Sequence, residues 1–258
     1  MANVVSVGLG LASTLAMPLW VKAMGINAVY VTCLLPNEHP DAYRLLNCVQ
    51  DALKIEILNV GTGKSPLDVF REQNFLGNTL FDNCSRVLKR EAMRAYMDKN
   101  HGVGSTIYVG IGADEIDREL SIRRNWVKQG YKAEFPLIDK PYINRKSLML
   151  LCEKMFGFVP EMYLKGFSHN NCHGACIKAG KKQWLLLLNE YPNVYEQWEK
   201  CEADIRASTG KNIAILRETK KGVKGYVTLA EFRARYQSGE ILPVEENGET
   251  GCTFCEAI

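Results

Sequence analysis

The chain has 258 residues, 47% of them hydrophobic and 24% charged, with a mean hydropathy of −0.16. That apolar share excludes a disordered or low-complexity protein, and the length suffices for one large domain or a domain with a small annex. Net charge is +3, from 32 basic against 29 acidic residues, too mild to imply nucleic acid by itself, and no fixed-period repeat points to a solenoid or propeller.

Residues 2–21 carry no charge, a run close to the length of a membrane span. Gly8, Gly10, Ser13, Thr14 and Pro18 within it suit a turn better than a hydrocarbon core, and no basic n-region precedes it. It therefore reads as a buried strand at 4–7, a loop, and a buried helix at 15–24 stopped by Gly25, with neither a signal peptide nor a membrane anchor expected. A second buried strand follows at 27–33. Tyr43, Leu46, Val49 and Leu53 then recur at helical spacing over 40–53. A third strand is expected at 55–60. Ser65-Pro66-Leu67-Asp68 has the form of a helix start, with a cap, a proline in the first position and an acid three residues on. Residues 83–99 read as a basic amphipathic helix, and 106–109 as a fourth strand ending at Gly110.

Apolar strands alternating with helices indicate an α/β fold, a mostly parallel sheet with helices on both faces. The later chain is more helical, at 145–157, 181–191, 194–207 and 228–237, the last fixed by the capping-box pair Thr228 and Glu231. A core over 1–160 and a helical annex over 161–258 follow. A parallel sheet places its ligand beyond the C-terminal ends of its strands. Here those ends are the loops 8–13, 32–41, 61–65 and 110–118, expected to converge on one crevice.

Nine cysteines is a high count. A reducing, cytoplasmic setting is expected, without a disulfide framework. Cys33, Cys48, Cys152 and Cys201 stand singly and read as core thiols. Cys172 and Cys176, with Cys252 and Cys255, form two short-spaced pairs, the pattern of a tetrahedral zinc site or a [4Fe-4S] cluster. The alternative is four unrelated buried thiols. A metal centre would clip the annex and hold a tail rich in Glu and Gly, with His169 and His173 flanking the first pair.

At this point several segments, in order, resemble one family. Asn37-Glu-His-Pro-Asp-Ala-Tyr-Arg44, Asn83-Cys-Ser-Arg-Val-Leu-Lys-Arg-Glu91, Gly110-Ile-Gly-Ala-Asp-Glu-Ile-Asp-Arg118 and His169-Asn-Asn-Cys-His-Gly-Ala-Cys176, with the terminal Cys-x-x-Cys, resemble the phosphoadenosine phosphosulfate (PAPS) reductase-like branch of the PP-loop, or adenine nucleotide α-hydrolase, superfamily. The last element is similar to a subgroup of phage and bacterial genomes whose relatives modify DNA or RNA. The resemblance implies a nucleotide crevice. The family's Ser-Gly-Gly-x-Asp-Ser phosphate loop, however, is here Gly8-Leu-Gly-Leu-Ala-Ser13, and its Asp-Thr after the second strand is Thr32-Cys33. Leu9 stands where a glycine lets backbone approach phosphate, Ala12 replaces the aspartate, and Pro18 disturbs the following helix. These departures count against cleavage of ATP. Gly8 and Gly10 as a plain tight turn is the alternative reading.

Candidate acids around the crevice are Glu38, Asp41, Asp114 and Glu115. Candidate substrate and phosphate contacts are Gly8, Gly10, Ser13, Tyr43, Arg44, Cys84, Arg86, Lys89, Arg90, Arg118, His169, Asn170 and Asn171. Arg86, Lys89 and Arg90 read as sharing one helix face suited to phosphate. Cys84, at a helix start, reads as a nucleophile or a structural thiol. Three functions compete. One is a nucleic-acid-directed enzyme that excises a base by N-glycosidic hydrolysis or modifies it, DNA ahead of RNA as partner, in a setting of phage–host conflict. The second is a parent-type ATP pyrophosphatase, sulfur-transfer enzyme or sulfonucleotide reductase. The third is a non-catalytic nucleotide-binding module.

Overall fold

Valine, isoleucine and tyrosine dominate three short segments that come together as parallel strands. The computed structural model describes residues 1–78, 82–139, 143–220 and 223–240. Strand β1 (Asn3–Val7) is central, flanked by β2 (Val29–Thr32), with β3 (Ile57–Asn59) beyond it. On the other side lie β4 (Thr106–Val109) and β5 (Lys132–Glu134), giving the all-parallel order β3-β2-β1-β4-β5. The chain leaves β1 in one direction, returns past it to β4, and so creates a switch point between β1 and β4 where a ligand crevice belongs.

Side chains of a strand alternate between its two faces, and here both faces are covered. Val5, Val7 and Tyr30 pack on helices α1 (Met17–Ala23) and α2 (Pro40–Leu53). Val4, Val31, Ile107 and Val109 meet Met93 and Met97 on the opposite face. Helix α3 (Pro66–Gln73) starts at the expected capping box, Ser65 and Asp68 each closing on the other's backbone N–H. The basic helix is composite: α4 (Asn83–Ser85), a π-helical turn Arg86–Glu91, then α5 (Ala92–Asn100). A second π turn, Ala12–Ala16, precedes α1, with the Met17 N–H bonded to the Ala12 carbonyl. Proline has no N–H and its ring crowds the carbonyl four residues back. The widened turn lets Pro18 sit at the second position of α1 without ending the helix.

After a 3₁₀ turn, Ala113–Arg118, helix α6 (Glu119–Val127) leads to β5. Helix α7 (Arg145–Phe156) then returns over the α1 side, its Leu148 and Cys152 in the same cluster as Val5 and Val7. Helix α8 (Glu161–Leu164) opens the annex, which continues with α9 (Lys181–Glu190) and α10 (Pro192–Thr209). An antiparallel pair, β6 (Leu216–Lys220) with β7 (Val223–Val227), precedes α11 (Leu229–Gln237). The annex is therefore helical with a β-ribbon, which the sequence reading had not anticipated; β5 and α6 were likewise missed.

Trp184, Tyr195 and Trp198 form the annex core, with ring centroids 5.9 Å (Trp184–Tyr195) and 5.7 Å (Trp184–Trp198) apart. Phe70 of α3 stacks edge-on against Trp198, so residues before 160 share this core. Buried Cys84, Cys172 and Cys176 belong to it as well. No disulfide joins any of the seven cysteines among the described residues. The charge-free run 2–21 is divided between β1, the π turn and α1, and among the described residues no helix is long and apolar enough to cross a membrane.

Candidate functional site

Beyond the end of β1, the loop that would cradle phosphate is closed on itself. Leu9 and Leu11 are buried, the Ser13 hydroxyl donates to the Gly10 carbonyl, and the Thr14 hydroxyl donates to the Gly8 carbonyl at 2.7 Å. The Leu11 N–H donates to the Tyr163 hydroxyl at 3.3 Å, which fills a place an anion would take. From the other side of the switch point, Gly110 presses on this turn so closely that a Cβ there would stand 2.5 Å from Ser13 Cα. Among the described residues a cleft of about 30 Å³ opens between Leu11, Gly112, Glu115, Arg145 and Tyr163, room for a water.

At the end of β4, Glu115 caps the 3₁₀ turn through the Gly112 N–H and is paired with Arg118. The Arg118 side chain is 7% exposed, and its Nε and Nη2 have no hydrogen-bond partner among the described residues. A buried guanidinium fork with spare donors is suited to a phosphate or carboxylate, which it can hold at two points. Asp114 lies in the same backbone turn, but its side chain is outside the described set.

The loop after β2 is tied down by Tyr43, whose hydroxyl donates to the Leu35 carbonyl and accepts from the Glu38 N–H. Glu38 is fully buried at its side chain, where Oε1 lies 3.8 Å from the equally buried Lys89 Nζ and Oε2 accepts the Cys172 N–H. Asp41 accepts the N–H of Glu161 and so fastens α8 to α2, while Arg44 lies over the Phe158 ring at 3.8 Å. The helix bearing Lys89 does not present the three cations together. Lys89 points inward to Glu38, Arg86 is exposed and paired with Glu91, and Arg90 pairs with Asp82 at 3.2 Å. The π turn rotates Lys89 out of the face that an α-helical spacing assigns to it.

The segment 169–176 packs against both loops. The Asn170 amide reaches the Leu9 carbonyl at 3.5 Å, and the Asn171 N–H donates to His169 Nδ1 at 3.3 Å. Asn170 and Asn171 are wholly buried, yet Asn170 Oδ1 and both amide atoms of Asn171 find no partner among the described residues. Cys172 and His173 are consecutive residues in left-handed backbone, φ 53° and 50°. Such a conformation costs a non-glycine residue about 1–3 kcal/mol and persists only where its surroundings enforce it. The enforcing contacts are the Glu38 bond to Cys172 and an aromatic nest in which His173 meets His39 at 4.8 Å and Tyr191 at 4.6 Å. Burial, with His39 adding to it, pushes His173 down to about 4.

Cys172 and Cys176 come from one tight turn and are buried, which suits a pair of thiolate ligands. Cys252 and Cys255 lie outside the described residues, among which no group of three or more His, Cys, Asp or Glu side chains forms a metal site. Cys84 lies in the same apolar cluster as the first pair, beside Leu88. The sequence reading passed over the Tyr163 hydroxyl, the His39–His173–Tyr191 nest and the inward turn of Lys89. Only the left-handed histidine had a signal nearby, in the following Gly174, whose Cβ would strike the Phe167 ring. Compared with known proteins, the sequence matches no family model and no curated protein.

Proposed function

We propose that the chain is a nucleic-acid-directed enzyme on a PAPS reductase-like scaffold, acting on a base within a strand by N-glycosidic hydrolysis or another base-directed step. One contrast carries the reading. The loop after β1 spends its polar groups on its own chain, whereas Arg118 and Asn171, beyond the ends of β4 and β2, keep buried donors and acceptors spare. The first feature removes the seat for the phosphates of free ATP. The second offers a fork for one phosphate and an amide that matches the donor–acceptor edge of a base. A base turned out of its stack would enter by widening the cleft beside Gly112.

Glu38, beside Asn171 in space through its bond to Cys172, is the acid assigned to chemistry. Its carboxylate is sealed between Lys89 and the Cys172 N–H. Once the turn carrying Asn171 opened, it would offset positive charge developing on a sugar as the bond from C1′ to the base breaks. Water oxygen then bonds to C1′, one water proton is lost, and the departing base nitrogen gains one. Asp41 and Glu115 serve positioning, through Glu161 and Arg118. The metal centre, zinc or [4Fe-4S], would be held by Cys172 and Cys176 with Cys252 and Cys255, and would fix the turn that carries Asn171.

The test is incubation of the purified protein with ATP and Mg²⁺, with and without mixed nucleic acids, followed by nucleic acid carrying modified bases. The expected result is no AMP and pyrophosphate, binding to nucleic acid at low salt, and release of free base that is lost in Glu38→Gln. Joint production of AMP and pyrophosphate would establish the parent chemistry instead, and absence of nucleic-acid binding at low salt would sink the reading.

A further inference from the structure

The ribbon β6–β7 has two unlike faces. Leu216 and Val227 are buried in the annex, and Glu218 on that side is paired with Arg235 at 3.0 Å and Lys181 at 3.6 Å. On the other face, by the two-residue period of a strand, stand Arg217 opposite Tyr226 and Thr219 opposite Lys224. Thr219 and Lys224 are exposed, and Tyr226 is 36% exposed. The Arg217 guanidinium donates to the Tyr226 hydroxyl at 3.3 Å and lies 5.2 Å from its ring centroid. Among the described residues no carboxylate stands on this face, while exposed cations elsewhere, such as Lys64, Arg86 and Arg94, are matched by Glu72, Glu91 and Asp98.

We infer that this face binds a single-stranded stretch of nucleic acid. Arg217 and Lys224 are diagonal neighbours, about 7–8 Å apart at their backbones, a span that successive phosphates of one strand can bridge. Tyr226, braced by Arg217, supplies a flat surface on which a base stacks, and stacking needs no sequence. The positive charge of Arg217 and Lys224 on this face is complementary to the phosphate backbone. The inference rests on the nucleic-acid reading above and specifies where the strand runs outside the crevice.

The experiment is fluorescence anisotropy of the full chain with a labelled single strand of about 20 nucleotides, and with its duplex, between about 50 and 200 mM salt. The double variant Arg217→Glu/Lys224→Glu is expected to bind at least about tenfold more weakly, with the slope of log affinity against log salt reduced by about two. Tyr226→Ala is expected to lose roughly five- to a hundredfold for the single strand. Arg94→Glu, a charge reversal on α5, leaves binding within about twofold because its partner is Asp98. Lys224→Glu alone keeps the Arg217–Tyr226 contact and serves if the double variant does not fold. If wild type binds and the ribbon variants bind equally well, the assignment of this face is overturned while the nucleic-acid reading stands. If wild type does not bind, that reading itself falls. Duplex bound as tightly as single strand, with Tyr226→Ala without effect, would overturn the single-strand assignment.

Discussion

Glu38, in the loop beyond the C-terminal end of β2, and Glu202, inside the annex, are both sealed from water, and their surroundings differ in kind. Glu202, 1% exposed, accepts the N–H of Ile215 at 2.8 Å and of Leu229 at 2.6 Å, tying α10 to the ribbon and to the start of α11. Burial pushes its carboxyl up to about 7, the two N–H donors pulling the other way. Both its oxygens are committed to the backbone of its own chain, so it is a complete structural clip. Glu38 faces a lysine ammonium and the first of two left-handed residues, next to asparagines with unused amide atoms. Glu202 spends both oxygens on folding, whereas the residues around Glu38 keep amide atoms of Asn170 and Asn171 spare among the described residues.

The largest expected effect is at Lys89. Lys89→Ala leaves Glu38 buried without its cation and should lower the unfolding free energy by about 3–5 kcal/mol in denaturant titrations. A loss under about 1 kcal/mol would mean that the pair contributes nothing to folding. Next comes Glu202→Ala, which orphans two buried N–H groups, for an expected loss of about 2–4 kcal/mol. Its pH dependence has a definite sign. Because the carboxyl is raised from 4.5 to about 7, the stability it contributes is full below 4.5 and declines as pH rises through 7. The stability of wild type relative to Glu202→Gln should therefore fall between about pH 5 and 8, and a flat difference would show that the carboxylate stays ionised throughout.

Two smaller changes fix the scale for devices that belong to neither region. Ser65→Ala removes the cap of α3 and should cost about 1 kcal/mol, seen as a lowered Tm. Lys54 is left-handed too, φ 51°, but it ends α2 as a helix terminus commonly does. Lys54→Gly should stabilise by about 0.5–1 kcal/mol and leave nucleic-acid binding unchanged. If it changed binding, the contrast drawn between ordinary left-handed caps and Cys172–His173 would fail.

Apolar runs carried the sheet. Val4–Val7 is buried on both faces, Val29–Thr32 nearly so and Thr106–Val109 at Ile107 and Val109; all three were legible as strands, and the caps at Ser65 and Thr228 fixed two helix starts. Lys132–Glu134 was not legible because only Ala133 is buried in it; its place is set by pairing with β4 and not by its composition. The ribbon of Leu216–Lys220 and Val223–Val227 was hidden by four charged residues in its two strands, Arg217, Glu218, Lys220 and Lys224. At the site, sequence drew attention to Glu38, Arg118 and the 169–176 segment. It could not show that Tyr163, far along the chain, would reach back to Leu11, since that contact depends on how α7 and α8 return across the sheet.

The two π turns have a consequence for ancestry. Each, at Ala12–Ala16 and at Arg86–Glu91, accommodates one residue more than the α-helical turn it replaces, and each lies where a helix meets the ligand end of the sheet. An insertion absorbed in this way preserves the helix on either side while shifting the count between them. A cousin lacking the second insertion would, in an ungapped alignment, set its inward lysine against Leu88 or Arg90, and the buried partner of Glu38 would look lost when it had only moved by one.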